Sequence, residues 1–453
     1  MSVEVPRVQG TTGMDKQSRL VGPLLVALYL IIILSPLMLV LAFGEKMDES
    51  FFSQLAMCLP MVGFPLLAMQ FVLSARFRWL ERPFGMDRVY QFHKAMGMFA
   101  GLLLLMHPIL VAAADRNWSL LYGLVQPWYI WTGRAALSLL VLHAVLAASK
   151  RVIRMDYQKW KRMHSAFACL VLVGGLVHSW FAGNDLQLKA LRIEWVTLFA
   201  GAAAAYAWHK LLRPLRFRAR AYDVAEVRQE ADDVWTITLS PKRGAQHRMH
   251  LPGQYHYLTL YRAGDLLAEE HPFTISSSPT EAGTVSSTIK ASGDFTRTIH
   301  RTLVGDTALI HGPFGRFSYV LHPAENDLVF IAGGVGITPL ISMLRHMRDT
   351  SAEKRVLLLY ANKTSADILF GEEMDAMRDG SHLRLDVIHV LSQPSDGWTG
   401  VAGRIDKDVI ARHCGNLVRK TFYVCGPPGL IDTAVSCLKS LGVPDNRIRY
   451  ERF

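Results

Sequence analysis

The sequence is poor in charge and in cysteine. Only 19% of its 453 residues are charged and 51% are hydrophobic, a balance that favours a membrane protein over a soluble one. Its five cysteines form neither a CxxCH haem-attachment motif nor paired CxxC motifs, so any haem is expected to be the non-covalent b type. The N-terminus lacks the layout of a cleaved signal peptide, so residues 1–19 are interpreted as a polar cytoplasmic tail.

Long apolar runs occupy the first half of the chain. Six of them approach the roughly 20 residues that a membrane helix needs. They lie at about 20–43, 53–75, 92–114, 129–148, 163–182 and 190–211. Residues 20–212 are therefore predicted to form an all-α six-helix membrane bundle in the lipid bilayer.

Basic residues concentrate in alternate loops between these runs. The rich segments contain Arg76, Arg78, Arg82, Arg88, Lys150, Arg151, Arg154, Lys159, Lys161, Arg162, Lys210, Arg213, Arg216, Arg218 and Arg220. The other loops contain few basic residues: Lys46, Arg116 and Lys189. The positive-inside rule then predicts an integral cytoplasmic (inner) membrane protein with both termini and the second half in the cytoplasm. Much of the net charge of +11 can thus be loop charge, and it need not indicate nucleic acid.

Two pairs of histidines interrupt the apolar runs. His93 and His107 lie in FHKAMGMFAGLLLLMHP, and His164 and His178 lie in WKRMHSAFACLVLVGGLVHSW. Each pair is fourteen positions apart, which in a helix is about 21 Å along the axis and close to one face. Imidazole is an axial ligand of haem iron, and bundles build haem sites from facing helices. The pairs predict two stacked haems, whereas a lone histidine such as His143 could equally bond a neighbouring helix.

Two further features of the apolar half bear on these sites. Gly97 and Gly101 follow His93 at four-residue steps and leave room for a flat macrocycle. Arg134, near the outer end of the fourth run, could meet an outer haem propionate or attract superoxide. The alternative for Arg134 is that it reaches the lipid headgroups.

Residues 215–322 contain short alternating runs such as VWTITLS and YHYLTLY with turn residues between them. This pattern predicts an antiparallel β-barrel. Within it, HPFTISSSP at 271–279 offers hydroxyls, a histidine and an aromatic ring to a flavin. GDFT at 293–296 offers a glycine and a threonine to phosphate. Read alone, either stretch is also a plausible turn.

Strand and helix patterns alternate over residues 326–453. DLVFIAGGVGITPLISMLRHM joins an apolar strand to a helix through a turn with Gly333, Gly334 and Gly336. Glycines let backbone amides approach a pyrophosphate, although tight turns also need glycine and the spacing is not GxGxxG. Later strands end in LLLYANKTSADILF, DVIHVLSQ and TFYVCGPPGLI, which predicts an α/β doubly wound NAD(P) domain.

The strand that ends in YANKTS has no acidic residue at the usual ribose-binding place. Lys363 could pair with a 2'-phosphate there, which favours NADPH and leaves NADH possible. The alternative is a solvated surface lysine.

Taken in order, these motifs resemble the NADPH oxidase and ferric reductase family. That family joins a six-helix, two-haem membrane domain to a dehydrogenase of the ferredoxin-NADP reductase type. The paired histidines, HPFTISSSP, AGGVGITPLISML, YVCGPPG and the terminal ERF carry the resemblance, which covers nearly everything after the first twenty residues. It implies NADPH, FAD and two b-type haems as cofactors, and electron transfer from the cytoplasm to an outer acceptor.

The resemblance also implies roles for single residues. His93 with His164 would bind the inner haem, and His107 with His178 the outer haem. The expected flavin residues are His271 near the pyrophosphate, Pro272, Phe273 at the isoalloxazine, Thr274 toward N5, Ser277, and Gly293 with Thr296 at the phosphates.

The nucleotide site follows from the same resemblance. Its expected residues are Gly333, Gly334, Gly336, Thr338, Pro339 and Lys363, with Cys425, Gly426 and Pro427 close to the nicotinamide ring. Phe453 would cover the flavin until nicotinamide displaces it.

Three functions fit these expectations. The first is an oxidase that reduces O2 to superoxide, the second a ferric or other metal-chelate reductase, and the third a membrane subunit that donates electrons to a periplasmic partner. Short outer loops favour a small acceptor and make a protein partner unnecessary. A non-redox channel or receptor would leave the histidine pairs and HPFT unexplained.

Overall fold

The structure, a computed structural model, describes residues 11–44, 51–153, 155–218, 220–242, 249–264, 266–380 and 382–452. The chain divides into two units, one from Lys16 to Pro214 and one that begins at Leu215. The break falls where the apolar runs give way to charged, alternating segments.

The first half of the chain is helical. In lipid no water is available to bond the backbone N–H and C=O groups, and an α-helix lets these groups bond one another. Its helices are α1 (Thr11–Phe43), α2 (Phe51–Ser74), α3 (Arg78–Phe84), α4 (Met86–Ala114), α5 (Ser119–Tyr122), α6 (Trp128–Ile153), α7 (Tyr157–Ala182), α8 (Lys189–Ala207) and α9 (Arg213–Arg218). Among the described residues, five helices are long and apolar enough to span a membrane: Leu20–Phe43, Phe51–Ser74, Met86–Ala114, Trp128–Ser149 and Gln158–Ala182.

The sixth predicted run differs from the other five. Most of it forms α8, which is not among the five apolar helices of the described chain. Arg192 and Glu194 in its first turns lower its apolar character. The helix nevertheless packs in the bundle, since Trp195 stacks on Phe64 of α2 with ring centroids 5.0 Å apart. That α8 also crosses the bilayer stays a prediction.

Helices α4 and α7 begin earlier than the apolar runs that predicted them. They start at Met86 and Tyr157, in polar sequence on the side predicted to be cytoplasmic. Asp156 caps α7, because its carboxylate accepts from the backbone N–H groups of Gln158 and Lys159, each at 2.9 Å. Hydropathy marks only the apolar part of a helix, whereas the cap sets where the helix starts.

The second unit begins with an antiparallel sheet of β1 (Tyr222–Ala231), β2 (Val234–Pro241), β3 (Tyr255–Tyr261), β4 (Glu270–Thr274), β5 (Val285–Lys290) and β6 (Thr307–Phe314). Its strand order is β4-β3-β6-β1-β2-β5. The sheet curls, because the Ser276 N–H just after β4 donates to the Ser286 carbonyl of β5 at 2.8 Å. In the strand order the two end strands, β4 and β5, are not paired with each other, so full closure into a barrel stays a prediction.

A parallel sheet follows, as the alternating pattern predicted. Its strands are β7 (Asp327–Gly333), β8 (Arg355–Asn362), β9 (Arg384–Leu391), β10 (Val401–Ala402), β11 (Thr421–Cys425) and β12 (Ile448–Glu451), in the order β10-β9-β8-β7-β11-β12. Its helices are α10 (Thr338–Asp349), α11 (Gly371–Gly380), α12 (Lys407–Cys414) and α13 (Pro428–Ser440). Buried side chains of α10 and α11 pack on one face, and those of α12 and α13 on the other.

The order of the parallel strands locates a crevice. From β7 the chain winds outward through β8, β9 and β10, then returns to place β11 on the other side of β7. The strand order therefore reverses between β7 and β11. Ligands of open α/β sheets bind outside the carboxyl ends of the strands at such a switch point.

Candidate functional site

Backbone carbonyls of neighbouring helices hold His107 and His178, the two histidines predicted to lie toward the outer side. Nδ1 of His107, in α4, lies 2.8 Å from the carbonyl oxygen of Ala56 in α2. Nδ1 of His178, in α7, lies 2.8 Å from the carbonyl oxygen of Tyr129 in α6. Because a carbonyl oxygen can only accept, each Nδ1 carries the proton and donates it. The Nε2 lone pair of each ring is thereby left as the ligand atom.

Two residues explain why those carbonyls receive the histidines. In an α-helix the Ala56 carbonyl would accept from the N–H of the fourth residue onward, but that residue is Pro60, which has no N–H. At the other histidine, a Cβ added to Gly133 would lie 2.6 Å from Nδ1 of His178. Sequence reasoning missed both positions, although a proline and a glycine inside apolar helices were the available signals.

The inner histidines come together between α4 and α7. The ring centroids of His93 and His164 are 6.3 Å apart. Two imidazoles on opposite sides of one metal, each bonded at about 2 Å, place their centroids about 6 Å apart. Nδ1 of His93 is buried and has no hydrogen-bond partner among the described residues. The pair therefore fits bis-histidine ligation.

Space for a macrocycle lies along the same face of α4. A Cβ built on Gly101 meets no atom within 4 Å, and one built on Gly97 meets only the side-chain oxygen of Gln70, at 3.9 Å. The helix surface between His93 and His107 thus borders open space. The described residues therefore fit a haem at the His93–His164 pair, and His107 and His178 supply two further imidazole nitrogens of the right chemistry.

Arg134 bonds backbone carbonyls of the segment between α4 and α6, which is predicted to lie on the outer side. Its guanidinium donates to the carbonyl oxygens of Ser119, Leu120 and Gly123 at 2.7–3.0 Å. It also lies 4.8 Å from the ring centroid of Trp131. These contacts hold α5 and the loop that follows it against α6. A contact of Arg134 with a haem propionate, or an attraction of superoxide by Arg134, stays a prediction.

The structure brings the HPFT and GDFT stretches together. His271 stacks on Phe295 with ring centroids 4.3 Å apart and contacts the Glu269 carboxylate at 2.8 Å. Phe273 lies 6.4 Å from Phe295, in a nearly parallel orientation. Thr274 ends β4, is buried, and pairs with Tyr255 of β3. The two stretches form one aromatic surface beside a buried hydroxyl.

Several predicted flavin residues also hold the local backbone. The Thr296 hydroxyl accepts from the N–H groups of Ser292 and Gly293 at 2.9 and 2.8 Å. The Ser277 hydroxyl is buried and accepts from the Ser286 N–H at 3.0 Å. Pro272 is exposed on β4, an end strand, where a missing N–H breaks no ladder bond. Their contacts with flavin stay predictions.

Helix α10 of the parallel sheet clamps the serines of HPFTISSSP. Ser342 donates to the Ser277 carbonyl and Arg345 to the Ser276 carbonyl, both at 2.7 Å. Two further bonds, at 2.8 and 2.7 Å, join Arg345 to the Glu373 carboxylate. The flavin stretch is therefore fixed relative to the helix that begins the nucleotide site.

The glycine-rich turn and the CGPP stretch meet at the switch point. A Cβ added to Gly336 would lie 2.6 Å from both the Cys425 carbonyl oxygen and the Gly426 Cα. Gly334 has a φ of +53°, in the left-handed region that favours glycine. Gly333 packs against Pro427, whose Cδ would be 3.0 Å from an added Cβ. The two stretches form adjoining walls of the predicted nucleotide crevice.

Three other predicted residues border this crevice. Thr338 and Pro339 start α10 and are buried. Lys363 directly follows β8 and is exposed. Their order along the chain places them at the carboxyl ends of β7 and β8, where the adenosine end of a dinucleotide is expected.

Glu451, at the end of β12, lies close to Gly315 just after β6 and was missed from the sequence. Its carboxylate would be 3.4 Å from a Cβ on Gly315, which would itself lie 3.2 Å from the Tyr255 ring. Burial first, and the Glu451 charge second, raise the pKa of the Cys425 thiol well above its ordinary value, so that thiol stays protonated. Phe453 lies outside the described residues.

Comparisons with known proteins agree with this arrangement. Residues 59–175 match the ferric reductase like transmembrane component, residues 219–355 an FAD-binding domain, and residues 330–436 the oxidoreductase NAD-binding domain. The plasma membrane-associated coenzyme Q6 reductase PGA3 of Saccharomyces cerevisiae is 28% identical over 286 residues, 62% of this chain and 90% of that protein.

Two further similarities cover about a third and about half of the chain. NADH-cytochrome b5 reductase 2 of Mus musculus is 36% identical over 159 residues, which are 31% of this chain and 58% of the mouse protein. The FAD/NAD-binding domain of a nitric oxide dioxygenase from Vibrio cholerae aligns with a TM-score of 0.47 at 25% identity, covering 52% of this chain and 98% of that domain. With a ferric reductase like transmembrane component ahead of FAD- and NAD-binding domains, the chain has the domain organisation of the ferric reductase and NADPH oxidase-like membrane oxidoreductases.

Proposed function

We propose that the protein takes electrons from cytoplasmic NADPH through FAD and two stacked b-type haems to O2 on the outer side of the membrane, producing superoxide. His93 with His164 hold the inner haem, and His107 with His178 the outer haem. FAD lies between the HPFT surface and the nucleotide crevice.

One observation carries this proposal. His107 and His178 each bond a backbone carbonyl through Nδ1 at 2.8 Å, which leaves Nε2 of each ring as a ligand atom. A histidine that only ties two helices would have the same tautomer, so the proposal rests on both members of the pair being held alike, on the two helices that also carry His93 and His164. Second-partner bonds of this kind orient metal-binding imidazoles.

When bound, FAD and haem supply hydride acceptance and single-electron transfer. The chain's own residues bind and orient these groups. Thr274, buried at the end of β4, and Cys425, buried at the end of β11, present a hydroxyl and a protonated thiol to the reacting rings. Burial of both side chains keeps water away from that point. Phe453 covers the flavin until nicotinamide replaces it.

Lys363 supports a preference for NADPH. It is exposed and directly follows β8, next to the strand that carries the glycine-rich turn. A cation there pairs with the 2'-phosphate that distinguishes NADPH from NADH.

Replacing Lys363 by alanine tests that preference. Loss of one charge-assisted bond is expected to raise KM for NADPH about 10-fold and to leave KM for NADH unchanged. Lys439→Ala is the matched control, because Lys439 lies in the last turn of α13 and pairs with Asp445 at 2.9 Å instead. Equal effects on both nucleotides would remove Lys363 from the phosphate site.

The terminal acceptor is tested with the purified protein loaded with FAD and haem. NADPH-driven oxygen consumption is followed together with dye reduction that superoxide dismutase suppresses, and a ferric chelate is added afterwards. Rapid turnover in air with a superoxide signal is expected. Haems that stay reduced in air until the chelate arrives would instead identify a ferric reductase.

His107→Leu tests whether the electrons pass through the outer haem. It is expected to lose one haem and the superoxide signal, while FAD is still reduced by NADPH. Retention of both haems in this variant would contradict the assignment of the outer site.

A further inference from the structure

His164 is held differently from the outer histidines. Its Nδ1 bonds Nε2 of His143 in α6, a side-chain partner in place of a carbonyl. The two rings meet edge to face with centroids 4.2 Å apart. Trp160, one turn earlier in α7, stacks on the same ring with centroids 4.8 Å apart. His93 lies 6.3 Å from His164, measured between ring centroids.

The helix opposite explains why a side chain is needed there. Within a helix each carbonyl accepts from the N–H four residues onward, and the surrounding side chains cover its second lone pair unless a proline or a glycine leaves room. Between Trp128 and Ile153, α6 contains no proline that would free a carbonyl, unlike α2 with Pro60. Where α6 meets His178, the small Gly133 admits the ring to a carbonyl. At the level of His164 the chain supplies an imidazole acceptor instead.

We propose that His143 is a positioning residue of the inner haem site, an inference that rests on the proposed function. Nε2 of His143 accepts the Nδ1–H of His164, and the remaining proton of His143 stays on its own Nδ1. His164 is thereby fixed with Nε2 available to iron, and Trp160 limits rotation of the ring.

This arrangement also gives the two haems different reduction potentials. An acceptor on the Nδ1–H of an axial imidazole makes that ligand more basic and stabilises oxidised iron. An imidazole nitrogen is more basic than the peptide carbonyls that hold His107 and His178. His143 therefore lowers the inner potential relative to the outer one, which favours electron flow outward.

The test uses the full-length protein purified with FAD and haem. Redox titration of the haem absorbance and electron paramagnetic resonance of the oxidised haems are recorded for the wild type, His143→Leu, His143→Gln and His164→Leu. The wild type is expected to bind two haems, and H164L to lose one. H143L should bind the inner haem about 10- to 100-fold more weakly. Its midpoint potential should rise while that of the outer haem is unchanged.

H143Q supplies a side-chain acceptor without an imidazole, and it is expected to restore part of the shift. Reduction of ferricyanide by the dehydrogenase half checks that each variant is folded. Unchanged potentials and resonance signals in H143L would overturn the inference. So would complete loss of one haem in H143L without restoration in H143Q, because His143 would then be a ligand. A wild type without haem would overturn the proposed function itself.

Discussion

Gly133 sets how closely α6 and α7 approach at the predicted outer end of the bundle. Gly133→Ala places a methyl group 2.6 Å from Nδ1 of His178 and drives the ring from the Tyr129 carbonyl. Such overpacking typically costs about 1–3 kcal/mol. The variant is expected to bind the outer haem more weakly and to alter its resonance signal, measured by haem content per protein.

Gly201→Ala is the matched control for that substitution. A Cβ on Gly201, within α8, meets no atom within 4 Å. This variant should retain both haems. If Gly133→Ala also retained both with unchanged spectra, the carbonyl bond would not orient His178.

His256 gives the second unit a pH-dependent stability. It is fully buried in β3, bonds the Ser287 hydroxyl at 2.9 Å, and burial lowers its pKa from 6.5 to about 3. Below pH 6.5 the unfolded chain binds a proton there that the folded chain does not. Stability is therefore complete above pH 6.5 and falls toward pH 3, with a slope of up to about 1.4 kcal/mol per pH unit from this group.

Comparison of the wild type with His256→Gln isolates that contribution. The denaturation midpoint, followed by FAD fluorescence, should fall less steeply with acidification in the variant. Carboxylates that titrate in both proteins cancel in the difference. Parallel profiles between pH 6.5 and 4 would show that His256 is not the group responsible.

The sequence indicated candidate site residues where all of them lie on one helix face or in one strand-to-helix turn. The spacing of the histidine pairs predicted which side chains share a face. The rings of His93 and His164 lie 6.3 Å apart, while the roles of all four histidines stay predictions. Pro60, Gly133, His143 and Glu451 were not assigned, because their roles depend on a partner in another element. Helical periodicity says which face a residue is on, but not which neighbouring helix covers it.

At the scale of elements, the turn after β7 and the turn after β11 form one structure. Gly336→Ala would place a methyl group 2.6 Å from backbone atoms of Cys425 and Gly426, which cannot move aside as a flexible side chain can. A displacement of about 1 Å near reacting groups can lower rates about 100-fold. We expect kcat/KM for NADPH to fall on that order, measured by ferricyanide reduction.

Gly429→Ala controls for the loss of a glycine in the same region. Gly429 lies in the first turn of α13, and an added Cβ meets no atom within 4 Å. Its kcat/KM should match the wild type. Equal losses in the two variants would point to general destabilisation rather than to the meeting of the two turns.

Hydropathy and alternation in the sequence predicted whether a segment is a helix or a strand. They did not predict the residues at which each element begins and ends. The apolar runs predicted α1, α2, α4, α6 and α7, yet α4 and α7 extend beyond those runs into polar sequence. The run at 190–211 was the least apolar, since Arg192 and Glu194 interrupt it. Alternation in VWTITLS predicted β2 correctly, but strand order depends on long-range pairing that no local pattern contains.

For the whole molecule, the proposed route carries electrons across the bilayer without a compensating ion. The free energy of each electron that crosses the membrane changes by about 2.3 kcal/mol per 100 mV of membrane potential. Turnover should therefore generate a potential across a sealed vesicle, and it should slow as that potential grows. A potential-sensitive dye would record the change, and an ionophore that dissipates the potential should restore the rate.

The most direct test of the central claim uses the protein in sealed vesicles with a ferric chelate or a superoxide-sensitive dye trapped inside. NADPH, which does not cross the bilayer, is added outside, so that only molecules with an external dehydrogenase respond. Transmembrane electron transfer requires that the wild type reduce the trapped acceptor and that His107→Leu fail to do so. Reduction confined to external acceptors, equal in the wild type and the variant, would contradict transmembrane electron transfer.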